Sequence, residues 1–91
     1  DQANPYVDVA IVTGLGEARN AIIARTAQAV IAIGGSYGTL SEIAFALRLD
    51  TPVVGLGAWQ IRREGHPPAP IIYVDAPQEA VARALALAKR A

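Results

Sequence analysis

Short runs of β-branched residues alternate along this chain with longer stretches that are typical of helices, and this alternation restricts the fold more than any other feature. One helical stretch lies between the first and second strands and another between the second and third, which favours right-handed crossovers between parallel neighbours. The pattern predicts an α/β fold, a doubly wound parallel sheet, with strands at 9–12, 30–33, 52–56 and 71–74 and helices at 17–28, 39–49 and 78–90. All loops that follow a strand should then lie at one edge of the sheet, where ligands bind.

Composition narrows the class of protein. A chain of 91 residues allows one small domain, and a hydrophobic fraction of 53% with 18% charged residues excludes a disordered chain. Eight acidic and eight basic side chains cancel, so no overall positive field attracts nucleic acid or a membrane surface, and an anion site has to be local. The chain has no cysteine, and its apolar runs are too short to span a membrane. We expect a cytoplasmic protein without nucleic-acid or membrane partners.

Two glycine-rich loops follow predicted strands and therefore share one edge of the predicted sheet. We call residues 13–16 the first glycine loop and residues 34–38 the second glycine loop. Glycine lets the backbone approach a ligand closely, and a helix N-terminus behind such a loop offers unpaired N–H groups to an anion. The pattern predicts a phosphate or nucleotide site, with hydroxyl groups as further donors, at Gly14, Gly16, Gly34, Gly35, Ser36, Tyr37, Gly38 and Thr39. The alternative is a tight turn in which glycine only relieves steric crowding.

Glu42 and Arg19 are the candidate catalytic side chains. The run from Thr39 to Glu42 fits a capping box, in which Thr39 caps the helix and the glutamate reaches back to the backbone. The alternative is a carboxylate that faces a ligand at the glycine loops. Arg19 follows the first glycine loop and is either a solvated arginine or a partner of Glu42 and the phosphate. If both side chains face the ligand, they should converge although they are far apart in sequence.

The loop of residues 58–70 holds an aromatic residue and several basic residues whose roles stay open. Trp59 either walls a base-binding pocket or caps the core, and Arg62 with Arg63 either closes over an anion or is solvated. His66 has no second histidine and no cysteine to join it, so we expect no metal site, and no cofactor is required.

The segment from residue 34 to residue 42 resembles the signature Pro-Gly-Gly-x-Gly-Thr-x-x-Glu of the lysine decarboxylase-like family, which contains the LOG cytokinin-activating phosphoribohydrolases. Gly34 stands in place of the proline and Ser36 in place of the second glycine, while the signature is matched at Gly35, Gly38, Thr39 and Glu42. Segments 4–8 and 14–20 resemble an uncharacterised bacterial subgroup that is also similar to the molybdenum cofactor carrier proteins.

The resemblance implies a Rossmann-like fold that is usually near twice this length, so residues 1–91 would be the C-terminal half of a longer nucleotide-binding domain. It also implies a homo-oligomer, a dimer or higher, and it places the catalytic arginine of the family at Arg19. The name lysine decarboxylase does not carry over, because pyridoxal enzymes need a lysine for the Schiff base. The one lysine of the chain, Lys89, lies in the last predicted helix, away from the glycine loops.

We expect the protein to hydrolyse the N-glycosidic bond of a nucleoside 5′-monophosphate, which gives the free base and ribose 5-phosphate. The phosphate would bind the second glycine loop, Glu42 would stabilise the cationic ribose ring, and Arg19 would hold Glu42, the phosphate or both. The alternative is a non-catalytic protein that binds or carries a nucleotide or a molybdopterin-type cofactor. A third hypothesis is an oligomer without any ligand. In the first two cases the partner is a small phosphorylated molecule.

Overall fold

The computed structural model describes residues 8–14 and 27–89. Within them, the strands are β1 (Val9–Val12), β2 (Ala29–Ile33), β3 (Val53–Leu56) and β4 (Ile71–Val74), and the helices are α1 (Tyr37–Arg48) and α2 (Pro77–Lys89). The predicted helix at 17–28 falls outside the described residues up to position 26. Neither α1 nor α2 is long and apolar enough to cross a membrane.

The four strands form one parallel sheet whose spatial order is the order of the chain. In the register, Ala10 lies beside Val30, and Val30 lies beside Val53. Val53 in turn lies beside Ile71. This confirms the predicted α/β fold and its parallel sheet, an arrangement consistent with a Rossmann-like doubly wound fold. The bounds of these elements differ from the predicted ones by no more than two residues.

Both faces of the sheet are apolar, and each is covered by one of the described helices. Because side chains alternate along a strand, neighbours such as Val30 and Ile31 belong to opposite faces. One face packs with α1 in a core of Val12, Val30, Val53, Ile43 and Ala46. The other face packs with α2 in a core of Ile31, Val54, Val74, Ala80, Ala84 and Ala88. Strands that are apolar on both faces are typical of parallel sheets between helices.

The connection from β3 to β4 covers the same face of the sheet as α1. Since β2, β3 and β4 follow one another across the sheet, right-handed connections between them must lie on one side. Four residues of this connection pack against the core around Ile43, namely Ala58, Trp59, Ile61 and Ala69. This arrangement brings the loop after β3 to the start of α1.

Candidate functional site

Three loops meet at the carboxyl edge of the sheet. The first glycine loop follows β1, the second follows β2, and residues 57–59 follow β3. Hydrogen bonds connect them, since the Gly14 backbone N–H donates to Glu42 of α1 and Trp59 Nε1 donates to the Ser36 carbonyl. The structure therefore places Gly14 of the first glycine loop beside the second glycine loop, as the topology of parallel strands requires.

Ser36 is the N-cap of α1, and its hydroxyl organises the first turn. Ser36 Oγ accepts a hydrogen bond from the Thr39 backbone N–H at 3.0 Å and lies 3.0 Å from Thr39 Oγ1. Thr39 Oγ1 donates to the Ile33 carbonyl at 3.3 Å, and Thr39 is fully buried. The Thr39 hydroxyl is thus committed inside the protein, where it holds the second glycine loop against the end of β2.

The capping box predicted at Thr39 is wrong. Helix α1 begins at Tyr37, two residues earlier than the predicted start, because Ser36 rather than Thr39 caps it. Both residues are favourable N-caps by type, and the extended backbone of Ser36 together with the hydrogen bond that its hydroxyl accepts from the Thr39 N–H identifies Ser36 as the cap. The backbone N–H of Thr39 is bonded to Ser36, so Glu42 does not reach back to it.

Glu42 binds the first glycine loop across 28 positions of sequence. Its Oε1 atom accepts a hydrogen bond of 3.0 Å from the backbone N–H of Gly14, and the residue is half-buried. This contact places the carboxylate at the sheet edge, beside both glycine loops. Its predicted partner Arg19 lies outside the described residues, as does Gly16, so the convergence of Arg19 and Glu42 stays a prediction.

The four described glycines of the two glycine loops fall into two pairs. A Cβ built on Gly38 would lie 2.6 Å from the Gly14 carbonyl, and one built on Gly14 would overlap Ser36 Oγ and the Thr39 nitrogen. Gly34 and Gly35 differ, because a Cβ on either would meet no described atom within 4 Å. Close packing of the loops therefore explains why positions 14 and 38 need glycine. Nothing in the packing of the described residues explains the glycine at position 35.

Four backbone N–H groups at the start of α1 have no acceptor among residues 8–14 and 27–89. Gly34 N–H donates to the Leu56 carbonyl and Thr39 N–H donates to Ser36 Oγ. Among the described residues, no acceptor binds the intervening N–H groups of Gly35, Ser36, Tyr37 and Gly38. The first turn contains no acidic residue, so nothing on it offsets the partial positive charge of the helix N-terminus.

Trp59 packs on the core, as one of the two hypotheses states, and also borders the second glycine loop. A role in walling a base-binding pocket stays a prediction. The Nε1 atom of Trp59 donates to the Ser36 carbonyl at 2.8 Å, and its ring stacks on Tyr37 with centroids 5.7 Å apart. Tyr73 of β4 donates from its hydroxyl to the Trp59 carbonyl at 2.6 Å. No pattern in the sequence points to Tyr73, since nothing local connects a strand tyrosine with a loop 14 positions away.

The link between Tyr73 and Trp59 should fail at high pH. Burial raises the pKa of the Tyr73 phenol above its ordinary value of 10.0, and a hydrogen bond with the Ile61 backbone partly opposes this. The neutral Tyr73 phenol therefore contributes its full stabilisation below pH 10.0. This contribution is lost as the pH rises above that value, because the Tyr73 phenol ionises at a lower pH in the unfolded chain than in the folded protein. We expect urea denaturation to show a smaller alkaline loss of stability in Tyr73→Phe than in the wild type. Tyr37→Phe is the matched control, and identical profiles for wild type and Tyr73→Phe would contradict the prediction.

The remaining candidates in the loop of residues 58–70 make no hydrogen bond with the described part of the glycine loops. Arg63 Nη2 lies 3.0 Å from His66 Nδ1, and both residues are exposed, as is Arg62. No group of three potential metal-binding side chains occurs among residues 8–14 and 27–89.

Comparison with known proteins assigns the chain to a family. The model of the SLOG cluster4 family matches residues 1–81. The chain belongs to the SLOG cluster4 family. This SLOG cluster4 chain is 46% identical over 56 residues to an uncharacterized protein of Archaeoglobus fulgidus. The match covers 62% of the chain and 37% of the archaeal protein, so the chain spans well under two thirds of that relative. No solved structure matches it.

The resemblance to the lysine decarboxylase-like family and its LOG members is wrong, because the matching family is SLOG cluster4. The motif that suggested it follows from the geometry of a strand–loop–helix turn. Gly34 has a positive φ of 89°, and Gly38 packs directly on the Gly14 backbone. Glycine is needed for these reasons wherever two loops of this type pack together, so the motif alone does not identify one family. The oligomeric state and the role of Arg19 that the resemblance implied lose that support.

Proposed function

We propose that this SLOG cluster4 chain binds the phosphate group of a nucleotide, or of another phosphorylated small molecule, at the second glycine loop. One observation carries the proposal: four consecutive backbone N–H groups, from Gly35 to Gly38, have no acceptor among the described residues. They lie at the N-terminus of a helix of 12 residues, where the helix dipole favours an anion.

The surroundings of these N–H groups favour a bound anion. The carboxylate of Glu42, the acidic group in the following turn, accepts from Gly14 instead of occupying the helix N-terminus. Gly34 and Gly35 have no side chains, and a Cβ built on either would meet no described atom within 4 Å apart from its chain neighbours. A phosphate can therefore approach the backbone closely, which is the functional reason for glycine in phosphate-binding loops.

Gly35→Ala tests this proposal. The added methyl group meets no described atom and Gly35 has no positive φ, so we expect the free energy of unfolding to change little. The methyl group instead occupies the approach of the phosphate, and we expect the affinity for ribose 5-phosphate to fall on the order of tenfold or more, the equivalent of one lost hydrogen bond to a charged group. Titration calorimetry measures the affinity and urea denaturation the stability.

Ser41→Ala is the matched control, since Ser41 is exposed on α1 beyond its first turn. We expect it to change neither the affinity nor the stability. A wild-type chain that binds neither inorganic phosphate nor ribose 5-phosphate would overturn the proposal. Unchanged affinity in Gly35→Ala would do the same.

A second candidate function is hydrolysis of the N-glycosidic bond of a nucleoside 5′-monophosphate, and the position of Glu42 favours it. In this reaction water adds to C1′, the C1′–N bond breaks, and the base leaves with a proton. Glu42 is held through Oε1, and none of the described residues binds its other oxygen. A fixed carboxylate at this edge can stabilise the positive charge that develops on the ribose ring.

Adenosine 5′-monophosphate (AMP) separates catalysis from binding. Release of free adenine supports hydrolysis, whereas AMP that binds and is recovered intact supports the alternative of a nucleotide or molybdopterin-type cofactor carrier. Assembly into a homo-oligomer and a cytoplasmic location stay predictions from the sequence. Sedimentation velocity tests the first of these directly.

A further inference from the structure

Tyr37 is an exposed aromatic residue with one covered and one open face. Its side chain is 82% exposed, although its ring stacks on Trp59 at a centroid distance of 5.7 Å and an interplanar angle of 25°. A stacked partner covers one face of a ring, so exposure this high means that the opposite face is open. An exposed aromatic face of this kind is typical of a recognition surface rather than of a core.

Hydrogen bonds from both the side chain and the backbone hold Trp59, which fixes the ring on which Tyr37 stacks. The indole N–H donates to the Ser36 carbonyl, and the Trp59 carbonyl accepts from Tyr73. The indole also packs against the core around Ile43. Trp59 is thus fixed to the N-cap of α1, to β4 and to the core, and Tyr37 stacks on it with its other face open.

The aromatic pair belongs to the same turn as the N–H groups proposed to bind phosphate. Tyr37 contributes one of those four N–H groups, and its neighbours Ser36 and Gly38 contribute two more. The Tyr37 ring is therefore an exposed aromatic group on the turn that would hold the phosphate. Aromatic rings stack on any nucleobase, because every base has a π-face.

We propose that the open face of Tyr37 stacks on the base of a nucleotide whose phosphate binds the second glycine loop, and that Trp59 positions Tyr37 for this contact. The inference rests on the proposed function and narrows its ligand to a nucleotide. It makes Tyr37 a residue that determines specificity for a nucleotide over a sugar phosphate. Trp59 acts through Tyr37 and through the Ser36 carbonyl.

The test compares three ligands, AMP, ribose 5-phosphate and adenosine, by titration calorimetry of the full chain. We expect AMP to bind more tightly than ribose 5-phosphate. Tyr37→Ala should weaken AMP binding by roughly 5- to 150-fold, the range that stacking of one base on an aromatic side chain provides. It should leave the affinity for ribose 5-phosphate unchanged, and Tyr37→Phe should restore the affinity for AMP.

Trp59→Phe tests the positioning role, because phenylalanine keeps a ring behind Tyr37 but cannot donate to the Ser36 carbonyl. We expect it to weaken AMP more than ribose 5-phosphate, since AMP loses the position of Tyr37 in addition to the anchor of the loop that binds phosphate. A loss confined to thermal stability, with both affinities intact, would overturn the positioning role.

The possible failures of the two proposals are distinguishable. Equal affinities for AMP and ribose 5-phosphate, both insensitive to Tyr37→Ala, would overturn the base contact and leave the phosphate site standing. Failure of all three ligands to bind would overturn both proposals. If Tyr37→Ala dissociates an oligomer in sedimentation velocity and leaves AMP affinity unchanged, the ring is a contact between copies of the chain and the inference is wrong.

Discussion

Gly14→Ala is expected to destabilise the fold by about 3 kcal/mol or more, from left-handed backbone strain and overpacking together. The φ of Gly14 is 74°, and the new Cβ would overlap Ser36 Oγ and the backbone nitrogen of Thr39. The nitrogen belongs to the first turn of α1, so the overlap is relieved only if a loop or the helix shifts. For a chain of this length the melting temperature should fall by roughly 12 to 24 °C, which thermal and urea denaturation both measure.

Alanine substitutions at three further glycines distinguish backbone strain from overpacking. Gly34 has a positive φ of 89° without steric contact to a described atom, and Gly38 has steric contact without a positive φ. Gly35 has neither. Alanine should therefore destabilise most at Gly14, less at Gly34 and Gly38, and by at most about 0.5 kcal/mol at Gly35. If Gly14→Ala costs no more than Gly34→Ala, the two glycine loops do not pack as closely as the structure shows.

Glu42→Gln is expected to lower the rate of adenine release from AMP by about 10²-fold or more if the chain is a hydrolase. Glutamine has nearly the same shape, and its amide oxygen still accepts from the Gly14 backbone N–H. The substitution therefore removes the charge that would stabilise the ribosyl cation and keeps the contact that holds the loop. Adenine release measured beside urea denaturation distinguishes the two effects.

Glu42→Ala is the companion variant because it also removes the hydrogen bond. It leaves the part-buried Gly14 N–H without its acceptor, and we expect a loss of about 1–3 kcal/mol in the free energy of unfolding. Full turnover in Glu42→Gln, with unchanged stability, would limit Glu42 to holding the first glycine loop. An absence of adenine release from the wild type would reject catalysis and leave binding.

The elements could be predicted from sequence because their signals are local. The run from Val30 to Ile33 is β-branched and apolar on both faces, which indicates a buried parallel strand, and the structure places β2 there. Pro77 fits the first position of a helix, where α2 begins. The predicted start of α1 was two residues too late, since Ser36 and Thr39 are both good caps by type and only the folded backbone shows that Ser36 accepts from the Thr39 N–H.

The sequence was enough to locate the candidate site, but not to show what each of its residues does. The topology of parallel strands was enough to place both glycine loops at one edge. It could not distinguish Gly14 and Gly38, which pack against each other, from Gly34 and Gly35, which face open space. Equally, the Thr39 hydroxyl was a predicted ligand donor, and the structure commits it to the Ile33 carbonyl.

By itself, then, the sequence determined the order and type of the described elements and the shared edge of the glycine loops. These follow from the spacing of apolar residues and from the handedness of crossovers, both of which act over short stretches of chain. Only the tertiary structure decided the partner of Glu42, 28 positions away at Gly14, and the partner of the Trp59 indole, 23 positions away at Ser36. The physical reason is that such contacts depend on how far one loop lies from the next once the sheet has formed, a distance that no local pattern encodes.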